Sequence, residues 1–187
     1  MIRHSAFIDV KKHLKGGLHC HTTRSDGKGS PEDVDLLYTI ENDPEMWRIG
    51  ETIAPYSRAS LEAFVATHSY NLYSTHQARF MVESEGRTIG VLDISDFDPH
   101  NMRFSIGIVI YDKRDRGNGY GHEIIEAIKE YALNTLNMKQ IWVEIDDFNK
   151  PSIALFEGCG FELCGTRKAW LRRHDGYTDQ LEYQCIL

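Results

Sequence analysis

A glycine-rich turn between two apolar segments constrains the fold of this chain more than any other feature. Its sequence is Arg116-Gly117-Asn118-Gly119-Tyr120-Gly121. Residues 103–111 before the turn predict a long strand. The residues after it repeat apolar side chains at spacings of three and four, which predicts a helix with one apolar stripe: Ile124, Ile125, Ile128, Tyr131 and Ala132. The end of a strand therefore meets the beginning of a helix at this turn.

Such a turn can bind an anion. Glycines let the backbone approach a ligand closely, and the first amides of a helix have no partner within the helix. Together with the helix dipole these amides form a cradle for a pyrophosphate, and Arg116 adds a positive charge. The glycine spacing matches neither the Walker loop nor the dinucleotide-binding fingerprint. The turn alone leaves open that it begins a helix without any ligand.

The remaining pattern predicts the fold class. Helix signals occur at Ser30-Pro31-Glu32-Asp33 and near Ser57, and the first helix should end near Pro44. Asp175-Gly176 is a hairpin signal near the end of the chain. Strands are predicted at 78–83, 88–95 (followed by a turn at 96–101), 103–111, 140–145, 161–171 and 177–187, and further helices after 117 and at 152–158. The prediction is an α+β fold, with a mixed, mostly antiparallel twisted sheet of six to seven strands and about four helices.

Length and composition limit the organisation and the partners. The 187 residues suffice for one domain, which we assign to residues 30–187, with residues 1–29 as an atypical extension or first strand. The net charge of -7 disfavours nucleic acid as a partner, and no apolar stretch is long enough to span a membrane. The four cysteines form no disulfide framework, so we expect reduced thiols and a cytoplasmic protein. The sequence leaves open whether the protein forms a homodimer.

Several motifs in a fixed order resemble one enzyme family. Arg116, Gly119 and Gly121 fall on the defined positions of an Arg/Gln-x-x-Gly-x-Gly/Ala motif. The segment 149–161 is similar to an Asn-x-x-(Ser/Ala)…Gly-Phe motif, and residues 171–179 are similar to a terminal hairpin. These features resemble the GNAT N-acetyltransferases, in particular the branch of ribosomal-protein and spermidine N-acetyltransferases. The resemblance begins near residue 31 and continues to the end of the chain.

The resemblance implies an enzyme class and a position for its co-substrate. Acetyl-CoA would lie in a V-shaped gap between the strands at 104–111 and 140–145. Its acetyl group would pass to a primary amine by direct attack in a ternary complex. The amine belongs either to a protein N-terminus or to a polyamine-like small molecule, and no metal is expected. The implied cofactor-binding residues are Ile108, Val109, Ile110, Arg116, Gly117, Asn118, Gly119, Tyr120, Gly121, Asn149, Ser152 and Phe156.

Two positions depart from the family pattern. Many members have a tyrosine, which protonates the leaving thiolate, where this chain has Phe156, and the related branch often has a glutamate where this chain has Ser105. Asp93 matches an acidic position of the spermidine branch, so it is our candidate for the catalytic base or for an amine-binding residue. Glu41 and Trp47 are further candidates for substrate binding.

The departures leave the proton donor open. Tyr120, Tyr111 and Cys159 are the alternatives to the missing tyrosine hydroxyl. The CoA thiol is a fairly good leaving group, so activity without a donor is a further alternative. A catalytically impaired CoA-binding module is the second hypothesis for the function.

The opening segment resembles a different family. Residues 18–28 look like the opening motif of the PHP phosphoesterases, in which a His-x-His pair and a following Asp bind metal. The corresponding residues are His19, His21 and Asp26. On a strand, two histidines at this spacing share a face, which suits one ion. That family needs further ligands spread over a longer barrel, so a metal-dependent phosphoesterase is the remote alternative.

Overall fold

A computed structural model gives the fold of most of the chain. The predicted helix cap at Ser30 and the metal candidates His21 and Asp26 lie outside the residues that the structure describes. The described residues are 7–10, 16–19, 31–44, 47, 54–67, 72–173 and 176–187.

Eight strands form one mixed sheet in these described ranges, in the spatial order β1-β2-β3-β4-β5-β6-β8-β7. Neighbouring strands are antiparallel except for β5 and β6, which are parallel. The strands are β1 Phe7–Val10, β2 Gly16–His19, β3 Ala78–Ser84, β4 Arg87–Asp98, β5 Arg103–Ile110, β6 Gln140–Asp146, β7 Glu162–Arg173 and β8 Gly176–Ile186. The predicted mixed and mostly antiparallel sheet is confirmed. The strand count exceeds the predicted six to seven because Phe7–Val10 and Gly16–His19 form an antiparallel pair, and the second of these strands pairs with β3.

Five helices accompany the sheet in the part of the chain that the structure describes. None of them is long and apolar enough to cross a membrane. Pro31 opens α1, where its missing amide hydrogen is not needed, and α1 ends before Pro44 as the sequence predicted. The helices are α1 Pro31–Glu41, α2 Arg58–Thr67, α3 Leu72–Thr75, α4 Tyr120–Asn134 and α5 Lys150–Gly158.

The apolar stripe of α4 is the centre of the core. Its buried residues are Ile124, Ile125, Ala127, Ile128 and Ala132. They belong to one cluster with fully buried side chains from β3, β4, β5 and β6, which include Phe80, Leu92, Phe104 and Ile141. Each fully buried large side chain contributes roughly 1.5–3 kcal/mol of transfer free energy. This packing fixes α4 on the sheet, and its first turn is therefore held at the end of β5.

The fourth strand is longer than predicted. The sequence predicted a strand at 88–95 and a turn at 96–101, whereas β4 continues to Asp98. The register with β5 shifts between Ser95 and Asp98, and Asp96 has a left-handed φ of 49°. Such a bulge places a residue with turn chemistry inside a strand. The predicted turn at 96–101 is wrong at its start, because aspartate is typical of turns and Asp96 lies instead in a bulge inside the strand.

A glycine in β4 is required by the neighbouring strand. A Cβ atom at Gly90 would overlap the carbonyl oxygen of Val109 and approach Ile110 Cδ1 to 3.0 Å. A Cβ atom at Gly107, on β5, meets no atom within 4 Å. Gly90 therefore allows β4 and β5 to approach at the end of the sheet that carries the glycine turn.

We expect Gly90→Ala to lower the free energy of unfolding by about 1–3 kcal/mol, because the added methyl group overlaps backbone rather than a flexible side chain. Gly107→Ala is the matched control and should change it by no more than about 0.5 kcal/mol. Urea unfolding of both variants is the measurement. Equal stabilities of the two variants would contradict the close approach of β4 and β5.

Candidate active site

The parallel strands β5 and β6 pair over only a short stretch and then separate. Their described pairs are Arg103 with Gln140, Phe104 with Ile141, and Ser105 with Trp142. Beyond this point β5 continues with β4 up to Ile110, while β6 continues with β8 up to Asp146. The two strands therefore diverge and leave an opening in the middle of the sheet.

The opening is a cleft of about 370 Å³. It is open to solvent, and its walls come from β4 and β5 on one side and from β6, α5 and the β7–β8 hairpin on the other. Its lining residues are Ile40, Glu41, Trp47, Arg79, Val91, Asp93, Ile106, Gly107, Ile108, Val109, Val143, Glu144, Ile145, Asp146, Asn149, Ser152, Phe156, Leu171, Arg173 and Gln180. Of the predicted site residues, the structure thus places Ile108, Val109, Asp93, Glu41 and Trp47 on one cleft with Asn149, Ser152 and Phe156.

The glycine turn presents a run of amides without partners. Gly117 has φ 76°, and Gly119, the residue that caps α4, has φ 88° without any side-chain cap. In the described part of the chain, no hydrogen bond is donated by the backbone amides of residues 117–122. The first amide that enters the helix belongs to Glu123, which donates to the Gly119 carbonyl at 3.2 Å. Successive free amides at a helix N-terminus suit an anionic group.

The last glycine of the turn has a packing role. A Cβ atom at Gly121 would lie 2.8 Å from Leu155 Cδ2. This close contact joins the first turn of α4 to α5, which contributes Asn149, Ser152 and Phe156 to the cleft. The motif's final Gly/Ala position therefore sets the distance between the two helices.

Arginine side chains hold the turn against the sheet. Arg116 donates from Nε to the Ile110 carbonyl at 2.9 Å and from Nη2 to the Tyr111 carbonyl at 3.1 Å. Arg87 pairs with both carboxylate oxygens of Asp115 at 2.8 Å. Hydrogen bonds from Arg87 hold the pKa of Asp115 below its ordinary value, although burial opposes the shift. Arg116 thus fixes the end of β5, and the phosphate contact inferred from the sequence stays a prediction.

Two predicted cofactor residues on α5 have local structural roles. Asn149 caps α5, because its Oδ1 accepts a hydrogen bond from the Ser152 amide at 3.3 Å. Phe156 is buried, and its ring makes an edge contact with Phe161 at a centroid distance of 5.0 Å. A phenyl ring has no proton to donate. The three alternative donors Tyr111, Tyr120 and Cys159 do not belong to the lining of this cleft.

One arginine organises the acceptor side of the cleft. Arg79 binds Asp93 through Nε at 2.7 Å and through Nη2 at 2.8 Å, and it binds Glu41 through Nη1 at 2.6 Å. Burial lowers the pKa of the Arg79 guanidinium, but the hydrogen bonds and charges of the two carboxylates outweigh this effect and raise it. Trp47 closes this corner by donating from Nε1 to the Glu41 carbonyl at 2.6 Å. Asp93 is therefore an ion-paired carboxylate at the cleft.

The other two cleft carboxylates are also paired. Glu144 binds Arg167, and the buried Asp146 binds Arg173. All four carboxylates that line the cleft in the described residues thus have an arginine partner. The sequence did not single out Arg79 or Gly107, because no local motif contains them. The position of Arg79 opposite Asp93 depends on a register shift in the β3–β4 hairpin, so no sequence signal identified it.

The fold and the cleft are those of an acyltransferase of the acyl-CoA type, in which a split parallel strand pair lies next to a glycine turn with free amides. The sequence matches the family described as "Acetyltransferase (GNAT) domain" over residues 29–162, which is well over half of the chain. The protein therefore belongs to the GNAT acetyltransferase family. This membership confirms the predicted enzyme class, an N-acetyltransferase with acetyl-CoA as its co-substrate.

Similar proteins include both curated relatives and solved structures. The chain is 28% identical over 139 residues to an uncharacterised N-acetyltransferase, p20, of Bacillus licheniformis, covering 72% of this chain and 76% of that protein. A spermidine N-acetyltransferase from Vibrio cholerae, solved with CoA and spermine, has a TM-score of 0.73 at 19% identity and covers 84% of this chain and 91% of its own. The ribosomal L7/L12 alpha-N-protein acetyltransferase RimL has a TM-score of 0.77 at 17% identity, and the match covers 98% of this chain and 95% of the RimL chain. These two structures confirm the fold.

We expect Asp115→Asn to destabilise the protein at neutral pH, since it removes a carboxylate whose pKa is lowered by Arg87. A lowered folded-state pKa adds stability that is present above the ordinary value of 3.8 and is lost as the pH falls through the folded-state pKa. The stability gap between wild type and variant should therefore shrink below pH 3.8. Urea unfolding at neutral pH and at about pH 2.5 measures the gap. A gap that is the same at both pH values would contradict the ion pair.

Proposed function

We propose that this protein transfers the acetyl group of acetyl-CoA directly to a primary amine in the cleft between β5 and β6. The observation that carries the proposal is the opening of this strand pair beside the free amides of residues 117–122. A pyrophosphate at the amides and a thioester between the strands fit one extended molecule. We also propose a cytoplasmic location, where the free thiols of Cys159, Cys164 and Cys185 stay reduced.

The donor side would be bound mainly by backbone groups. The amides of residues 117–122 would hold the pyrophosphate, and Ile108 and Val109 line the wall along which the pantetheine arm would lie. Bound there, acetyl-CoA supplies an activated acyl group, so the protein needs no nucleophile of its own. Gly107 leaves the cleft open beside Asp93, its partner on β4, and this is the space for the attacking amine. The chain's contribution is to orient the two reactants and exclude competing geometries.

The charge of the cleft favours a cationic acceptor. Its lining contains four carboxylates against the guanidinium groups of Arg79 and Arg173, an excess of two negative charges. An ammonium group is attracted by such an excess. Because each carboxylate is already held by an arginine, we propose that an ammonium proton leaves through water to Asp93 rather than by a direct contact. Relatives are named for spermidine and for a ribosomal-protein N-terminus, and both are primary amines.

A CoA-binding protein without catalysis is the second candidate. Two observations favour it. Phe156 offers no hydroxyl at the place where a thiolate would leave, and the carboxylate of Asp93 is already bound by Arg79. Incubation with acetyl-CoA and a panel of amines, followed by mass spectrometry, separates the two. An acetylated amine supports the enzyme, and bound CoA without any acetylated product supports the second candidate.

We expect acetyl-CoA at about 100 times its dissociation constant to raise the melting temperature of the wild type by roughly 5–10 °C. Gly119→Asp should abolish this shift for two reasons. The new carboxylate repels the pyrophosphate, and an aspartate is strained at the φ of 88° that the turn requires. Gly160→Asp is the matched control, since Gly160 has a similar φ of 79° at the far end of α5. If both variants lose the shift, backbone strain explains the effect, and the proposal that the amides of residues 117–122 bind the pyrophosphate is contradicted.

We expect Asp93→Asn to lower kcat/KM for the amine by about tenfold or more, which corresponds to roughly 1.4 kcal/mol, and to leave the KM for acetyl-CoA unchanged. The reason is that Asp93 faces the acceptor side of the cleft. Asp96→Asn, an exposed carboxylate on the same strand, is the control and should behave as wild type. A change confined to the KM for acetyl-CoA would contradict the assignment of Asp93 to the acceptor side.

A further inference from the structure

Three potential metal ligands meet between α4 and α5, outside the cleft. His122 and Glu126 are four residues apart on α4 and therefore lie on the same face of the helix. Cys159 follows the last residue of α5. One imidazole nitrogen, one carboxylate oxygen and the Cys159 sulfur all lie within 4.8 Å of one another. None of the three residues lines the cleft, so the cluster has no role in the proposed transfer.

The thiol in this cluster is buried and has no hydrogen bond. Cys159 is 4% exposed, and its sulfur makes no hydrogen bond to any described residue, whereas the sulfurs of Cys164 and Cys185 each donate to a carbonyl. The imidazole of His122 likewise has no hydrogen-bond partner in the described ranges. Two of the three potential ligand atoms are thus free to bind an ion, and one of them lies in the protein interior.

A lysine holds the third ligand in place. Lys129 donates to Glu126 Oε1 at 2.9 Å and also to the backbone carbonyl of Cys159, so it connects the two helices at the cluster. Glu126 keeps a second carboxylate oxygen for a metal ion. A divalent cation together with a thiolate, a carboxylate and the lysine ammonium would have a net charge of +1. The site is open to solvent on the side of His122 and Glu126, so water can screen this charge.

We propose that His122, Glu126 and Cys159 form a zinc site that joins α4 to α5. Nitrogen, oxygen and sulfur together are a ligand set of Zn²⁺, and three protein ligands leave the fourth position to water. Ligand atoms around a tetrahedral zinc lie roughly 3.3–3.7 Å apart, given bond lengths of about 2.0–2.3 Å. The ligand atoms here lie within 4.8 Å of one another, and rotation of the exposed His122 side chain would bring its imidazole closer to the other two.

Binding changes one covalent bond. The S–H bond of Cys159 breaks, its proton passes to solvent, and a Zn–S bond forms, with no change of oxidation state. Burial raises the pKa of this thiol, although the charge of Lys129 opposes the shift, so the thiol is protonated without the ion. The ion would link the first turn of α4, where His122 follows Gly121, to the end of α5. It would therefore stabilise both helices that flank the glycine turn.

Cobalt spectroscopy of the full chain tests the site. Co²⁺ is added to chelator-treated protein, and thiolate ligation is read from the near-ultraviolet charge-transfer band and four-coordination from the visible bands. We expect both signals in the wild type and their removal by one equivalent of Zn²⁺. Cys159→Ser should abolish the charge-transfer band. His122→Ala should weaken Co²⁺ binding by more than about 100-fold, since loss of an outer-shell partner alone costs roughly 10–100-fold.

Two control variants identify the ligand. Cys185→Ser removes the neighbouring buried thiol, and a triple variant, His19→Ala with Cys20→Ser and His21→Ala, removes the opening segment's own potential ligands. Both should keep the band. The proposal is overturned if the wild type shows no band at millimolar Co²⁺, if either control loses the band, or if His122→Ala binds like the wild type. The first result would mean that Cys159 binds no divalent cation. His122 is exposed, so its variant is informative even if Cys159→Ser fails to fold.

Discussion

The site depends on the point at which β5 and β6 stop pairing. Parallel strands normally continue side by side, but here the described pairing ends at Ser105 and Trp142. Each strand keeps its antiparallel neighbour on the other side, so only the strand edges that face the cleft lose their partner. The core under α4 holds both halves of the sheet in place. An opening that would destabilise an isolated pair of strands is therefore tolerated, and it provides the cleft.

The two sides of the cleft offer different kinds of interaction to the two reactants. The donor side offers backbone amides at 117–122 and an apolar wall, which suit a phosphate and a flexible arm. The acceptor side offers charged side chains that are already paired, with Arg79 between Glu41 and Asp93. Such pairing holds each carboxylate in one orientation, with part of its hydrogen-bonding capacity already used by an arginine. It is consistent with an enzyme that relies on orientation of an activated thioester rather than on a strong general base.

The sequence predicted the donor side because a contiguous motif encodes it. Arg116, Gly119 and Gly121 lie in one turn, and the helix after it has an unambiguous apolar period. The acceptor side depends on register. The two-residue turn at Glu85-Gly86 pairs Ser84 with Arg87, and by continuation it would set Arg79 opposite Leu92.

A register shift between Val82 and Glu83 changes this pairing and brings Arg79 opposite Asp93. The regular alternation of buried residues is interrupted there, with four consecutive buried residues from Ile89 to Leu92, but such a run does not by itself give the position of a bulge.

Hydrogen exchange of the amides at 117–122, with and without acetyl-CoA, tests the central claim most directly. These amides lack partners in the described structure, so they should exchange rapidly in the free protein and slowly once the donor is bound. Exchange in the core of α4 should change little. Unchanged exchange at 117–122 in a sample saturated with acetyl-CoA would contradict the account, since the donor would then bind elsewhere.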